Sequence, residues 1–362
     1  ATTEIYTLSL HDALPILNFF TESLVAIDGS KFKAVNNRDR NFTRAKLQRR
    51  MEEIESSINR YLTALDTADR QEPEIAKAKT ERLSDKISAL KAQMQKLKEI
   101  EVELEQAPDK QISLTDPDAR SMKTRGTGIV GYNVQTAVDA QHHLIVAHEV
   151  TNIGTDRDQL SNMAKQAREA MGACDLTVIA DRGYFKSDEI FACQQAGITA
   201  IVPKTGTSGA KADGRFDKAD FIYDRAADEY QCPAGQRLIW RFSRIEGGLK
   251  LHRYWSSHCP RCAIKEQCTP SDYRRVSRWE HQIVLDDMQI RLDLAPDSMR
   301  IRRQTVEHPF GTLKLWMGSA HFLTRTLERV CTEMSLQVLA YNLKRVMKIL
   351  GIAGLIGAMQ AQ

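Results

Sequence analysis

What the sequence lacks narrows its function before any motif is considered. It has no apolar stretch long enough to span a bilayer, and no cationic segment followed by a cleavable apolar run opens it. Membrane insertion and secretion are therefore not expected, and a cytoplasmic location is. A dominant charge is also missing: 51 Lys and Arg stand against 47 Asp and Glu, a formal net charge of +4. Composition alone thus gives only weak support to a polyanionic partner. An even set of cysteines is absent. Of seven, Cys232, Cys259, Cys262 and Cys268 crowd into one segment, while Cys174, Cys193 and Cys331 stand alone among apolar neighbours. Metal binding in a reducing compartment suits this pattern better than disulfides. Gly206 and Gly209 lack the ordered glycines and terminal Lys-Ser/Thr of a phosphate loop, so no ATP requirement is expected.

What is present is enough apolar residue, 42% of 362, to fill one large core or two modest ones. The opening ATTEIYTLSLHDALPI has no Met and no clean helical stripe. It resembles translated sequencing-adapter read-through, so 1–22 is expected to be a non-native segment standing where an N-terminal region is missing. Residues 23–40 open an α/β core with the apolar run SLVAIDG, a buried strand that ends on Asp28. In 41–110 the apolar positions Leu47, Met51, Ile54, Ile58, Tyr61 and Leu65 keep a four-three spacing, and a second stripe runs from Leu83 to Leu104. Two such stripes predict an antiparallel helical hairpin projecting from the body.

The core resumes in 111–203 with two strands around Asp139–His142, a helix capped by Thr155 and ending at Gly172, and the strand of DLTVIADRG, which ends on Asp181. Residues 204–280, with glycines, the cysteine cluster and little periodicity, are expected to be an insertion. Residues 281–352 are helical in character, over Ile283–Leu294, Met299–Met317 and Leu327–Leu350, and 353–362 form a tail. This C-terminal third is basic, with nine Lys and Arg against four Asp and Glu from Pro296 to Leu350.

Asp28 and Asp181 both fall where an apolar strand runs out, the edge at which α/β sheets present functional groups. Glu307, in RRQTVEHPFGTLK, is the third acid, with Arg303 four residues before it and Lys314 seven after. Those spacings keep all three broadly on one helical face unless Pro309 kinks the segment. Three carboxylates sharing two divalent ions about 4 Å apart could activate a nucleophile, stabilise a leaving oxygen and neutralise a phosphate. Singly, each acid has an ordinary alternative, because strand-end Asp residues are more often turn or capping residues. Asp116 and Asp118 are expected to be such residues, His142, His143 and His148 to be structural, and Tyr184 to pack.

Cys259 and Cys262 fit one edge of a tetrahedral zinc site that Cys232 and Cys268 could close. The five-residue gap before Cys268 is long, His252 and His258 offer substitute ligands, and unliganded thiols remain the alternative. Such a zinc would be structural, and catalysis would belong to oxygen-bound Mg²⁺ or Mn²⁺.

With these residues in view, the chain resembles the bacterial DDE-type insertion-sequence transposases. The likeness runs through AIDGSKFKAVN, TDPDARSM, GYNVQTAVDAQHHLIVAHEV, TVIADRGYF, the cysteine segment, TVEHPFGTLKLWMG and MSLQVLAYNLKR. It implies a ribonuclease H-like catalytic core, with the helical hairpin inserted after the first strand and the cysteine-containing segment before the last catalytic helix. It implies Asp28, Asp181 and Glu307 as the catalytic, metal-holding triad, with Arg303 and Lys314 positioning DNA. A Tyr expected seven residues before the Glu is replaced by Arg300. The implied activity is cleavage and strand transfer at terminal inverted repeats, on double-stranded DNA and target DNA, by a homodimer or higher oligomer near the bacterial nucleoid. A nuclease that only hydrolyses DNA and an inactive DNA-binding fragment are the alternatives.

Overall fold

The computed structural model describes residues 23–36, 40–68, 73–107, 109–124, 126, 128–206 and 209–360. The segment expected to be non-native, 1–22, lies outside them. The first described strand, β1 (Leu24–Lys33), is followed by the short strands β2 (Asn41–Thr43), β3 (Gln111–Ser113) and β4 (Arg120–Met122). The longer β5 (Ile129–Asp139) and β6 (Ile145–Thr151) come next, then β7 (Leu176–Ala180) and β8 (Ile198–Ile201). In the main sheet the order is β4-β5-β1-β7-β8, with β6 also pairing β5. β1 is antiparallel to β5 from Val25↔Asp139 to Lys33↔Gly131, and parallel to β7 from Leu24↔Thr177 to Ile27↔Ala180.

β1 takes the centre because it can be buried on both faces. Val25, Ala26 and Ile27 are wholly inaccessible, as the continuous apolar run requires. The strand's alternation divides them between two cores. Val25 and Ile27 pack with the helices after β6 and β7, whereas Ala26 and Phe32 pack with Val306, Phe310 and Val338 from the C-terminal helices. The sheet therefore lies between helical layers.

The predicted helical hairpin corresponds to α1 (Arg44–Ala68) and α2 (Pro73–Gln106). Leu47, Ile54, Leu97 and Leu104 are buried between them, with Met51, Ile58, Leu90 and Met94 alongside. At the root, β2 and β3 form their own antiparallel ladder, Asn41↔Ser113 to Thr43↔Gln111, beside the start of α1 and the end of α2.

Helix α3 (Leu160–Met171) ends as expected, on Gly172 in the left-handed region at φ 60, where its N–H closes on Arg168 and Glu169. Its start differs from expectation. Thr155 accepts from the Arg157 N–H in a preceding turn, and the helix begins at Leu160 without a side-chain cap. After α4 (Ser187–Gln195) and β8 of the main sheet, the chain enters a second sheet, where expectation had little regular structure. Strands β9 (Ile222–Asp224), β10 (Glu229–Gln231), β11 (Arg237–Glu246), β12 (Leu249–Trp255) and β13 (Val276–Trp279) pair in sequence order, around a core of Phe221, Tyr230, Leu238, Tyr254 and Val276.

Among the described residues three longer helical segments follow: α5 (Gln282–Leu294), α6 (Ser298–Gly311), which leads into a π-helical turn at Thr312–Trp316, and α7 (Leu327–Gln360), which is broken by a kink at Gly351 (φ 73, ψ 165). Asp116 and Asp118 are capping residues, as expected, but for the distant α7. They accept from the backbone N–H of Thr326 at 3.1 Å and of Leu327 at 2.8 Å, where an acid favours a helix N-terminus. Tyr132 donates to the same Asp116 carboxylate at 2.9 Å, tying α7 to β5. Further along, the Asn342 amide bonds both the N–H and the C=O of Ile145, at 2.9 and 2.8 Å, so α7 also fastens β6.

The β1–β5 pairing leaves no room for a side chain at Gly131, where an added Cβ would lie 1.9 Å from the Phe32 carbonyl oxygen. Gly131→Ala is expected to cost about 3 kcal/mol in urea unfolding, the upper range for overpacking. Gly154→Ala, whose Cβ would meet only the Met122 side chain at 3.5 Å, is expected to be near neutral. Equal stability of the two variants would contradict the pairing.

Candidate active site

The parallel pairing of β1 with β7 ends at Ile27↔Ala180, and the next residues are Asp28 and Asp181. The end of this ladder sets two carboxylates side by side: Asp181 just past the end of β7, and Asp28 within β1, which stays paired with β5 as far as Lys33 instead of ending on the Asp as its apolar run suggested. Asp28 Oδ1 accepts from the Gly29 N–H at 2.9 Å, and Asp181 Oδ1 from Gly183 N–H at 2.7 Å, which starts a short 3₁₀ turn. Gly29 leaves space that side chains fill, since a Cβ there would lie 2.4 Å from Gln135 Nε2 and 2.5 Å from Asp156 Oδ1, and both would have to shift to admit it. That close approach brings Asp156 in beneath Asp28. Asp156 is held by Asn133 and Gln135, each at 2.7 Å, and lies 3.8 Å from Lys31 Nζ.

Between the two acids sits Arg302. Its Nη2 is 2.6 Å from Asp28 Oδ1 and 3.8 Å from Asp181 Oδ2, so one cation faces both carboxylates. Its buried Nε has no hydrogen-bond partner among the described residues. Burial pushes the Asp28 carboxyl up to about 6. The nearby Asp181 and Asp156 charges push the same way, and Arg302 and the Gly29 N–H offset part of the rise.

Helix α6 forms the facing wall. Met299, Arg302, Arg303, Val306 and Glu307 line one cleft with Asp28 and Asp181, at the three- and four-residue spacings of a single helix face. Glu307 and Arg303 are exposed there. Pro309 lies inside α6 and cannot donate to the Thr305 carbonyl, and the His143 ring hydrogen-bonds to the Thr305 backbone instead. The π turn after it carries Lys314 back to β1. There Nζ donates to Ser30 Oγ at 2.6 Å and to the Lys31 carbonyl at 2.9 Å, over the Phe32 ring. Burial, and then Lys31, lower the Lys314 pKa.

Arg303 and Lys314 are therefore in the cleft, as are Arg302, Lys31, Lys123 and Arg182, which sequence reasoning passed over. These six cations face three carboxylates. Arg302 had one available signal, the Arg302-Arg303 doublet: adjacent residues on the flank of a helix can both reach one groove. Arg300 takes no part, pairing with Asp297 at 3.1 Å. Tyr184 is buried, as expected, with its hydroxyl donating to Gln135, and burial raises its pKa well above the usual value. His148 bonds Ser335 at 3.0 Å and His143 stacks on His308, structural places for both.

The Asp28–Asp181 pair suits a hard divalent cation. Both are oxygen donors converging on one positive group, and one of them is held desolvated beside other acids. Glu307 shares the cleft without closing a cage. Among the described residues, no group of three or more His, Cys, Asp or Glu has an arrangement that could hold a metal. The same holds for the cysteines. Cys232, Cys259, Cys262 and Cys268 line one cavity, and the charges of the other three act on Cys268, yet the sulfurs fall short of a ligand set. His258 borders that cavity, whereas His252 instead bonds Ser243 at 2.7 Å.

The family described as "Transposase DDE domain" matches residues 98–343 of the chain that carries this cleft. Among solved structures, a cryo-EM structure of the piggyBac transposase synaptic complex with hairpin DNA aligns at 9% identity with a TM-score of 0.26. That alignment covers 61% of this chain and 41% of the other. No curated protein matches. No helix among the described residues is long and apolar enough to cross a membrane.

The Asp28 environment has a pH signature. Its carboxyl sits at about 6 in the fold, against 3.8 as the ordinary value. The folded state therefore holds this proton more tightly, a stabilisation complete below pH 3.8 and lost as the pH rises through about 6. In metal-free buffer, Asp28→Asn is expected to melt with the parent at the acid end and above it at neutral pH. A gap that stays constant across that window would refute the assigned environment.

Proposed function

Because this chain belongs to the DDE-domain transposase family, with its ribonuclease H-like fold and DNA-cleaving activity, we propose that it cuts and joins DNA at transposon terminal inverted repeats. Asp28, Asp181 and Glu307 are its catalytic triad. The observation that carries this reading is the adjacency of Asp28 and Asp181 where the parallel β1–β7 ladder ends, opposite a helix that brings Glu307 and cations into the same cleft. A second DNA-processing chemistry is not needed to explain any residue there.

In this reading Asp28 and Asp181 hold the divalent ions on which the family relies, Mg²⁺ or Mn²⁺, and Glu307 completes the set when DNA draws α6 inward. Bound there, the ions would supply charge neutralisation and an activated nucleophile. The chain's own residues do the positioning. Arg303 and Lys314 flank Glu307 and take the non-bridging oxygens of the scissile phosphate, a charge-assisted contact. Lys314 is suited to this because Ser30 and the Lys31 carbonyl already fix its ammonium. Arg302 neutralises the Asp pair until the ions do so. In the first step an oxygen of water bonds to phosphorus as the bond to the 3′ oxygen breaks. The freed 3′-hydroxyl then attacks a target phosphodiester in line, releasing that bond's own 3′ oxygen.

The helical pair α1–α2 and the cysteine-bearing sheet are, in this reading, insertions in the core: 41–110 after the first strand and 204–280 before the Glu307 helix. Residues 23–40, 111–203 and 281–352 make up the core itself. Cys232, Cys259, Cys262 and Cys268 would hold a structural zinc only by drawing closer together than they stand here. Double-stranded terminal repeats and target DNA are the partners, gathered by a homodimer or larger assembly.

The test is cleavage and strand transfer on cognate end DNA with Mg²⁺ or Mn²⁺. Asp181→Asn and Glu307→Gln should each lower the rate by at least roughly a hundredfold, a typical loss when charge stabilisation at a reacting centre is removed. Cleavage at parental rate in both variants would defeat the triad. Independently of activity, Mn²⁺ should raise the melting temperature of the parent and not that of Asp28→Asn/Asp181→Asn.

For the cysteine module, metal analysis of the purified chain should find one zinc per chain, lost together in Cys259→Ser/Cys262→Ser. Zinc-free parent that melts identically with and without added zinc would remove it from the reading.

A further inference from the structure

The ridge of α6 has two sides. One faces the carboxylate cleft, and the other, beginning at His308 directly after Glu307, borders a second groove against α7. Its walls are His308, Thr312 and Trp316 from α6 and the π turn, and Tyr341, Lys344, Arg345 and Lys348 from α7. The α7 residues recur at three and four positions and so share one helix face. Among the described residues, no Asp or Glu lines the groove.

Its parts have distinct chemistry. Trp316, at the end of the π turn, is 83% exposed, an unusual place for the largest apolar side chain in a folded protein. Lys344 and Lys348 are exposed, and neither has an ion-pair partner among the described residues. Arg345 is anchored by Nε donating to the His142 carbonyl at 2.6 Å. The floor is fixed by Tyr341. Its hydroxyl donates to the His143 carbonyl at 2.7 Å and lies 2.9 Å from His308 Nδ1, which must then be the donor to it. An exposed indole beside three cations matches a strand whose bases are free to stack and whose phosphates need neutralising. A duplex hides its base faces and could use only the cations.

We propose that the groove between α6 and α7 is a second nucleic-acid subsite. It takes an unpaired DNA strand, with one base stacked on Trp316 and flanking phosphates held by Lys344, Arg345 and Lys348. The subsite rests on the reading that the neighbouring cleft works on DNA, and a strand leaving that cleft need only cross α6 to reach it.

The experiment is binding of a fluorescent oligothymidylate strand, and of a duplex of equal length, to the full chain in chelator, where no cleavage occurs. Trp316→Ala should weaken strand binding roughly tenfold, the scale of one lost base stack, and Trp316→Phe should recover most of it. Lys344→Ala/Lys348→Ala should reduce the slope of log affinity against log salt by about 1.4 for the strand, two phosphate contacts' worth. Because these readouts are taken without cleavage, failure of the catalytic triad would leave them unchanged. Parental strand affinity in Trp316→Ala would overturn the proposal. So would an unchanged salt slope in the lysine variant, or an equal loss of duplex binding in Trp316→Ala.

Discussion

Two carboxylates brought side by side on neighbouring strands repel each other, and the surrounding structure is organised around that repulsion. The parallel register of β1 on β7 makes the adjacency unavoidable, since their ladder ends at Ile27↔Ala180, one residue before an Asp on each chain segment. Burial worsens the problem for Asp28, and Asp156 beneath Gly29 adds a third negative charge. A compensating positive charge therefore has to come from outside the sheet. Helix α6 brings it as Arg302, and the π turn after α6 adds Lys314 on the other flank of β1. The site is a sheet edge made electrostatically costly and a helix positioned to relieve it.

That helix is held by contacts far from the acids. Val306 and Phe310 pack into the same core as Ala26 and Phe32 of β1, so the spacing between strand and helix is set by apolar side chains. Behind them α7 is fixed at its start by Asp116 and Asp118 and in its middle by Asn342. The TDPDARSM loop thus acts on the cleft only through packing. Its carboxylates are satisfied by backbone N–H groups and by Tyr132, which leaves them no role in chemistry.

How much could be seen in the sequence depended on whether a signal was local. The apolar run ending in Asp181, the four-three stripes of α1 and α2, and the Gly172 helix stop are all written in consecutive residues, and each corresponds to an element at that place, whereas the run before Asp28 marks a strand whose end, at Lys33, lies beyond the acid. The five-stranded sheet was not legible because β11 exposes most of its residues on both faces. Ile239, Trp240, Phe242 and Ile245 are all exposed, and the alternation that betrays a half-buried strand is missing. The cap assigned to Thr155 failed for a related reason, since a Ser/Thr turn and a helix cap use the same bond and differ only in whether the next residues turn helical. Arg302 escaped notice because its importance lies in a partner on a strand far earlier in the chain. The π turn was invisible too, although Pro309 marked where regular hydrogen bonding had to change.

The small ladder at the root of the helical pair also bears on how the chain finds this arrangement. β1 must pair with β5 across the whole of α1 and α2, an order of events that loop-closure entropy penalises. Pairing of Asn41 with Ser113 removes most of that intervening chain from the loop, because the two helices can zip together from contacts close in sequence. Once they have done so, Lys33 and Ile129 are joined by a short tether, and the central strand meets its first partner at a higher effective concentration. The hairpin then serves assembly as a splint, formed early by local contacts and holding the ends of the sheet within reach of each other.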